Sequence, residues 1–296
     1  MTVRHRMLAV VRCGDASQHT SWAVGDCEFD VGVSYFGDNQ GRSFPEARYV
    51  HRGKGGKWDG LFNFFSQFPE TVDAYDYFWL PDDDIASTAA DVNQLLAIGL
   101  TRNLQIFQPA LDELSYYSHL ITLRHPSFTL RYTNFVEIMV PVISKAILRR
   151  TLPMIQETRS GFGIDFIWPT LAAEITRSLN CGTAILDQVS VRHTRPVGGS
   201  LHEFMAKIGG KSVKEEITSA LATVDSQRTA VINGVPVPRI RITSGIDNAG
   251  RPIHGVRLAA NVAIDMVWRY TNKVQPVNKV AAIKHALKAL RADPGS

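Results

Sequence analysis

The run Tyr75-Asp76-Tyr77-Phe78-Trp79-Leu80-Pro81-Asp82-Asp83-Asp84-Ile85 constrains this chain more than any other stretch. An aromatic, apolar segment leads directly into three consecutive carboxylates, and the chain then turns apolar again. Aromatic and apolar residues favour covered, pleated positions, so the segment reads as a buried strand. The acid cluster then falls at the strand's carboxyl end, where open α/β sheets place their ligand crevices. Three adjacent carboxylates repel one another, and a hard divalent cation with oxygen ligands relieves that repulsion. A solvated acidic turn is the plainer reading, with Asp84 or Ser87 serving only to cap the next helix.

The segments before the cluster read as the start of an α/β unit. Met7 to Arg12 is an apolar run of the kind found in parallel strands covered on both faces. Cys13-Gly14-Asp15 follows, and Gly14 permits a sharp turn with close backbone approach to a ligand. In a nucleotide-binding fold this loop faces base and ribose, which makes Arg12 and Asp15 candidates. An ordinary strand-to-helix turn explains the same residues. Phe29 to Phe36 reads as a second strand and Ala47 to His51 as a short third one. Arg52 to Gly60 is glycine-rich and basic, suited to meet phosphates through backbone N–H groups and Lys side chains. Its spacing is not that of a P-loop, and a flexible basic turn is the competing reading. Leu61 to Phe68 continues as a helix whose aromatic stripe reads as core.

Beyond the cluster, Ala89 to Leu100 has helical spacing and Leu104 to Leu111 reads as a strand. Pro126 breaks the alternation between Tyr116 and Tyr132. Phe135 to Val140 is expected to be a strongly apolar strand, with Glu137 either paired in the core or facing a site. Pro141 is expected to open a helix over Val142 to Ile155. Gly161-Phe162-Gly163 makes a specially shaped loop before a helix over Ile167 to Leu179. Asp165 at that helix start is either its N-cap or a catalytic or sugar-binding carboxylate. Ala184 to Val191 is a late strand that delivers His193, and a His at a strand end can ligate a metal through neutral imidazole.

After about Ser200 the pattern changes. Helices are expected over Leu201 to Ile208 and Val213 to Val224, with a hinge at Ile208 to Lys211. Arg239 to Thr243 alternates like a half-exposed strand, Asn248-Ala249-Gly250 is a turn, and Ile253 to Val262 is the expected hairpin partner. Pro276 to Ala292 is an amphipathic basic helix that suits packing on its own domain or peripheral contact with a membrane.

Several of these segments together resemble one family, domain-of-unknown-function family 707, found in plants and bacteria and related to GT-A glycosyltransferases. The resembling stretches are Lys57-Trp58, Pro69 to Asp84, Leu104 to Leu111, Phe135 to Ser144, Met154 to Gln156, Gly161 to Asp165 and Ile185 to His193. They span about Ala9 to Gly199 in the family's order. Asp83, Phe162 and Gln188 depart from the family's Glu, Trp and Ser. GT-A enzymes use a strand followed by a DxD pattern to hold a metal and a sugar diphosphate.

The resemblance implies an α/β, GT-A-like mixed sheet flanked by helices over residues 1–199. A C-terminal α+β extension over residues 200–296 would shape the acceptor side. It further implies that Asp82, Asp84 and His193 hold Mn²⁺ or Mg²⁺. Arg12, Gly14, Asp15, Lys57, Asp82 and Asp83 would meet the nucleotide sugar, and Asp165 would be the general base. The activity so implied is metal-dependent transfer of a sugar from a nucleotide-diphosphate sugar to a glycan or lipid-linked acceptor. Metal-dependent hydrolysis of a sugar nucleotide or phosphodiester, and non-catalytic glycan or partner binding, are the competitors.

A net charge of +4 and a pI of about 9.0 suit an anionic substrate but are too weak to argue for nucleic acid. Cys13, Cys27 and Cys181 lack metal spacing and suggest a reducing compartment, hence a cytoplasmic protein, with packing of the tail on its own domain favoured over its peripheral contact with a membrane. The apolar run after the basic N-terminus is too short for a signal peptide.

Overall fold

A computed structural model describes residues 6–157, 160–178, 181–197, 212–222, 230–232 and 234–271. The first strands are β1 (Met7–Cys13), β2 (Asp30–Tyr35) and β3 (Tyr49–Arg52), followed by the helices α1 (Lys57–Gln67) and α2 (Thr71–Ala74). Then come β4 (Tyr77–Trp79), β5 (Ile85–Ala86), α3 (Ala89–Thr101), β6 (Ile106–Leu111) and β7 (Phe128–Thr133). Next are β8 (Val142–Ser144), α4 (Lys145–Glu157), α5 (Ile164–Thr176) and β9 (Thr183–His193). The remainder comprises α6 (Val213–Leu221), β10 (Ala230–Ile232), β11 (Val235–Val237), β12 (Ile242–Asp247), β13 (Pro252–Ile253) and α7 (Gly255–Thr271).

The architecture is the expected α/β one, a mixed sheet between helical layers. Its strand order is β13-β12-β7-β9-β6-β8-β4-β1-β2-β3, and β5 adds to β9 off this path. β1 is parallel to both β2 and β4. The chain winds outward from β1 to β3 and then returns to β4 on the other side of β1. That reversal is a topological switch point, which opens a crevice beyond the carboxyl ends of β1 and β4.

Strand alternation feeds two cores. From β1, Ala9, Val11 and Cys13 enter a core shared with α3, while Leu8 and Val10 enter a core shared with α1, α4 and α5. Trp79 and Phe78 of β4 divide in the same way. With both faces covered, these strands have to be apolar along their whole length.

Several expectations are corrected. Phe135 to Val140 is not a strand but a buried loop. Its backbone groups are taken by side chains: the Glu137 N–H donates to Gln108 Oε1 at 2.7 Å, and Lys57 Nζ donates to the carbonyls of Ile138 and Met139. Pro141 does not open a helix. The chain first adds β8 antiparallel between β4 and β6, and α4 begins only at Lys145.

The helix expected over Ile167 to Leu179 begins at Ile164, so Asp165 lies in its first turn and is not its cap. The capping position is held by Gly163, at φ 96°. The hairpin partner expected over Ile253 to Val262 is only β13, and α7 follows from Gly255. Leu258, Val262 and Met266 recur at helical spacing and are buried with Phe128 and Ile253.

β12 pairs with β7, so the sheet continues past position 199. The expected elements over Leu201 to Lys211 and Pro276 to Ala292 lie outside the described residues. No described helix is long and apolar enough to cross a membrane.

Candidate active site

The acid cluster occupies the turn between β4 and β5, at the carboxyl end of β4. β5 pairs antiparallel with the end of β9, Ile85 opposite His193, and this pairing brings a residue 109 positions downstream of Asp84 against it. His193 Nε2 lies 3.1 Å from Asp84 Oδ2. One ligand atom each from Asp82, Asp84 and His193 fall within 4.8 Å of one another.

The donor set fits a divalent cation. Oδ1 of Asp84 is buried and has no hydrogen-bond partner. The Nδ1 of His193 is 2.9 Å from the Tyr116 carbonyl, an acceptor that holds the proton on Nδ1 and leaves Nε2 to the site. Two carboxylates and an imidazole suit Mn²⁺ or Mg²⁺, and the nitrogen ligand favours Mn²⁺ of the two. Burial raises the Asp82 carboxyl and the charge of Asp84 adds to this, while Lys57 opposes both. Burial by itself lowers the His193 imidazole, but the hydrogen bond to Asp84 and its charge outweigh that, and the net shift is upward.

Lys57, the first residue of α1, reaches the same turn. Its Nζ lies 2.6 Å from Asp82 Oδ1, 2.6 Å from the Ile138 carbonyl and 3.1 Å from that of Met139. Asp83 is used differently. Its Oδ2 accepts the Gly14 N–H at 2.9 Å, and its Oδ1 lies 3.1 Å from Arg195 Nη1. Its carbonyl accepts the Gln18 N–H. Asp83 thus ties the loop after β1 and the segment after β9 to the acid turn. A Cβ on Gly14 would lie 2.9 Å from the tip of the exposed Phe36 ring and in ordinary contact, at 3.7 Å, with Asp83 Oδ2, so a side chain there would have to displace Phe36.

The structure places Arg12 and Asp15 apart from this convergence. The Arg12 guanidinium is buried and donates to the carbonyls of Gly53, Gly55 and Gly56 and to Ser34. It braces the glycine-rich loop from beneath. Asp15 is exposed on the rim, where its carboxylate accepts the Tyr35 hydroxyl and the Asp38 N–H. Burial pushes the Cys13 thiol up to about 12, so it is no nucleophile at neutral pH.

Asp165 and Glu137 form a second acidic group beside the first. Asp165 is 4% exposed, and its carboxyl is pushed up to about 8, first by burial and then by the charge of Glu137. Burial likewise pushes Glu137 up to about 7, against the hydrogen bond from Ser118. Glu137 interacts electrostatically with Asp82, His193 and Lys57 and also with Asp165. Asp165 is held by the GFG loop, where Gly161 has φ 73° and Gly163 has φ 96°. Ala220 and Ile217 of α6 pack against Gly163.

Among solved structures, S. aureus TarS 1–349 in complex with UDP is similar at a TM-score of 0.47 and 10% identity, over 75% of this chain and 67% of that one. Glucosyl-3-phosphoglycerate synthase from Mycobacterium tuberculosis, in complex with Mn²⁺, UDP and phosphoglyceric acid, is similar at 0.43 and 14%, over 75% of this chain and 80% of that one. A197 from STIV is similar at 0.34 and 12%, over 64% of this chain and 86% of that one. No protein-family model matches the chain, and no curated protein does. No family model thus supports the resemblance to family 707, and the chemistry is argued from the site itself.

Two contributors escape a reading of the sequence. Arg195 lies two residues beyond His193, and its being basic was the only signal. Tyr116 contributes a backbone carbonyl, which any residue carries.

Proposed function

We propose that this chain is a metal-dependent glycosyltransferase that moves a sugar from a nucleotide-diphosphate sugar to a hydroxyl of a glycan or lipid-linked saccharide. One observation carries the reading. Asp82, Asp84 and His193 converge at the switch-point crevice, with the cation of Lys57 on Asp82 and the buried Glu137 carboxyl coupled electrostatically both to them and to Asp165.

In this reading Asp82, Asp84 and His193 hold Mn²⁺ or Mg²⁺, whose positive charge offsets the charge that develops on the departing diphosphate. Lys57 adds a second positive charge beside the same oxygens. Arg12 keeps the loop around Gly53 to Gly56 in place beneath the nucleotide, and Gly14 lets the backbone approach it. Asp15, on the rim, and Asp83, beneath the loop, line the base and ribose side. Asp165 accepts the proton of the acceptor hydroxyl as the new C–O bond forms. A carboxylate raised to about 8 is a stronger base than an ordinary one, which suits that task. Residues 200–296 would shape the acceptor side, consistent with the packing of α6 on the GFG loop.

Calorimetric titration with UDP and GDP, with and without Mn²⁺, tests the reading. Binding that needs Mn²⁺ and is lost in Asp82→Ala and Asp84→Ala supports it. Equal affinity in those variants removes the metal site from the mechanism.

A further inference from the structure

The inward face of α6 carries one acid. Glu216, Ile217, Ala220 and Leu221 share that face, and Ile217 and Leu221 enter the buried cluster that holds Phe135 and Phe166. Glu216 stands among them and is only 4% exposed. A buried carboxylate costs stability unless hydrogen bonds or a charge partner compensate it, so packing alone does not account for an acid here.

Oε2 of Glu216 meets Ser160, at the entrance to the GFG loop. It accepts the Ser160 N–H at 3.0 Å and also the Ser160 hydroxyl. With its proton directed at Glu216, the hydroxyl keeps its own lone pairs as acceptors, and it takes the Phe162 N–H at 3.1 Å. One carboxylate therefore fixes the chain on both sides of Gly161.

The loop so held leads directly to Asp165. The Gly161 carbonyl accepts the Ile164 N–H at 3.3 Å, and the Gly163 carbonyl accepts the Phe166 N–H at 3.2 Å. Asp165 lies between those two bonded residues. At Gly163 an added Cβ would lie 2.8 Å from Ala220 Cβ and 3.3 Å from Ile217 Cα. The helix α6 thus grips the loop twice, by hydrogen bonds at Ser160 and by close packing at Gly163. A loop with two glycines at positive φ has wide backbone freedom and takes its shape from such outside contacts.

We propose that Glu216 is a positioning residue: through Ser160 it sets the shape of the GFG loop and so holds the Asp165 carboxyl in its buried place. This rests on the transferase reading, in which Asp165 receives the acceptor's proton. It gives the helix from the C-terminal extension a task in that reaction, although Glu216 stands outside the cation cluster.

The test is a double-mutant cycle read as urea midpoints at pH 9, where an Asp165 carboxyl raised to about 8 is ionised. Asp165→Asn is introduced into wild type, Glu216→Ala, Glu216→Gln and Ser160→Ala. In wild type it should raise the midpoint, because it removes a buried charge. A Glu216 that supports only global stability leaves that rise the same in every background. A Glu216 that holds Asp165 in place makes the rise fall by at least about half in Glu216→Ala, since a loosened loop lets the carboxylate reach water. Glu216→Gln keeps an acceptor oxygen for Ser160 and should restore most of the rise. Should Glu216→Ala not fold, Ser160→Ala removes the bridging hydroxyl and should show the same reduced rise. An undiminished rise in the folded alanine variants overturns the assignment, as does a Glu216→Gln variant that restores nothing.

Calorimetry with UDP and GDP in Mn²⁺ accompanies the cycle. Glu216→Ala should bind whichever diphosphate wild type binds within about twofold, as expected of separate sites. A loss of about tenfold or more makes Glu216 a support of the donor site and overturns the assignment. Failure of wild type to bind either diphosphate overturns the transferase reading, whatever the midpoints show.

Discussion

The imidazole of His193 faces Asp84 with Nε2 3.1 Å from Oδ2, while its Nδ1 is anchored on the Tyr116 carbonyl. Both side chains are nearly buried, at 5% and 11% exposure. The proton on Nε2 and a metal ion therefore compete for one position.

That competition sets a pH dependence. The His193 pKa is raised in the folded protein, so its pairing with Asp84 contributes stability that is complete below the unfolded value of about 6.5. The contribution is lost as pH rises through the raised value. Mn²⁺ needs the neutral imidazole, so its affinity should increase with pH through the same window and then level off. Calorimetry at several pH values should show this for wild type, and His193→Ala should bind Mn²⁺ at least about tenfold more weakly. A flat affinity across the window would sink the ligand role.

Asp165 should show opposite effects on stability and activity. Its carboxyl is raised to about 8, so the folded state loses stability as pH climbs from about 4 to that value. Asp165→Asn should therefore match wild type in thermal stability at pH 4 and exceed it at pH 9 by as much as a few kcal/mol. Transfer should fall at least about a hundredfold while donor binding is kept. The wild-type rate should rise with pH toward a plateau above about 8, as a base that must ionise requires. Near-normal turnover in the variant would rule out the base assignment.

Gly161 is needed for both its backbone and its lack of a side chain. Its φ is 73°, and an added Cβ would lie 1.9 Å from Trp58 Nε1. Trp58 is buried edge-on against Trp168 and follows Lys57 directly. Gly161→Ala should cost more than the roughly 1–3 kcal/mol of backbone strain alone and should weaken nucleotide binding through Lys57. Gly250→Ala is the control, since its φ is 76° with nothing within 4 Å. Denaturant melts of equal midpoint for the two variants would contradict the clash.

Arg131 and Asp187 form a fully buried ion pair between β7 and β9, with Nε to Oδ2 at 2.7 Å and Nη2 to Oδ1 at 2.9 Å. Arg131→Met removes the charge partner of the buried Asp187 carboxylate, which keeps neutral partners such as the His125 N–H, and should cost about 3–5 kcal/mol. The double variant Arg131→Met with Asp187→Leu should recover part of that loss. Full recovery is not expected, because the Ile121 and Leu123 carbonyls also lose their Arg131 donor. Chemical denaturation of the three proteins checks the order.

The elements legible in the sequence were those that local pattern specifies. β1 and β4 are short apolar runs with no polar face, which only a doubly covered strand tolerates. The acid cluster stands out because three neighbouring carboxylates have a cost that neighbours in sequence alone reveal. Phe135 to Val140 and Ile253 to Val262 misled for the converse reason. Burial makes a loop or a helix as apolar as a strand, and what takes the backbone hydrogen bonds then decides between them.

Local chemistry thus determined the α/β class, the strand that leads into Asp82 to Asp84 and the residue types able to hold a cation. Only the tertiary structure decided which of the candidates meet. The pairing of β5 with β9 carries Asp84 to His193, and α1 swings Lys57 onto Asp82. Arg12, as suggestive by composition as Lys57, is turned instead toward the glycine-loop carbonyls. Side-chain charge is written in the sequence, but its partner is set by strand register and helix packing between residues far apart along the chain.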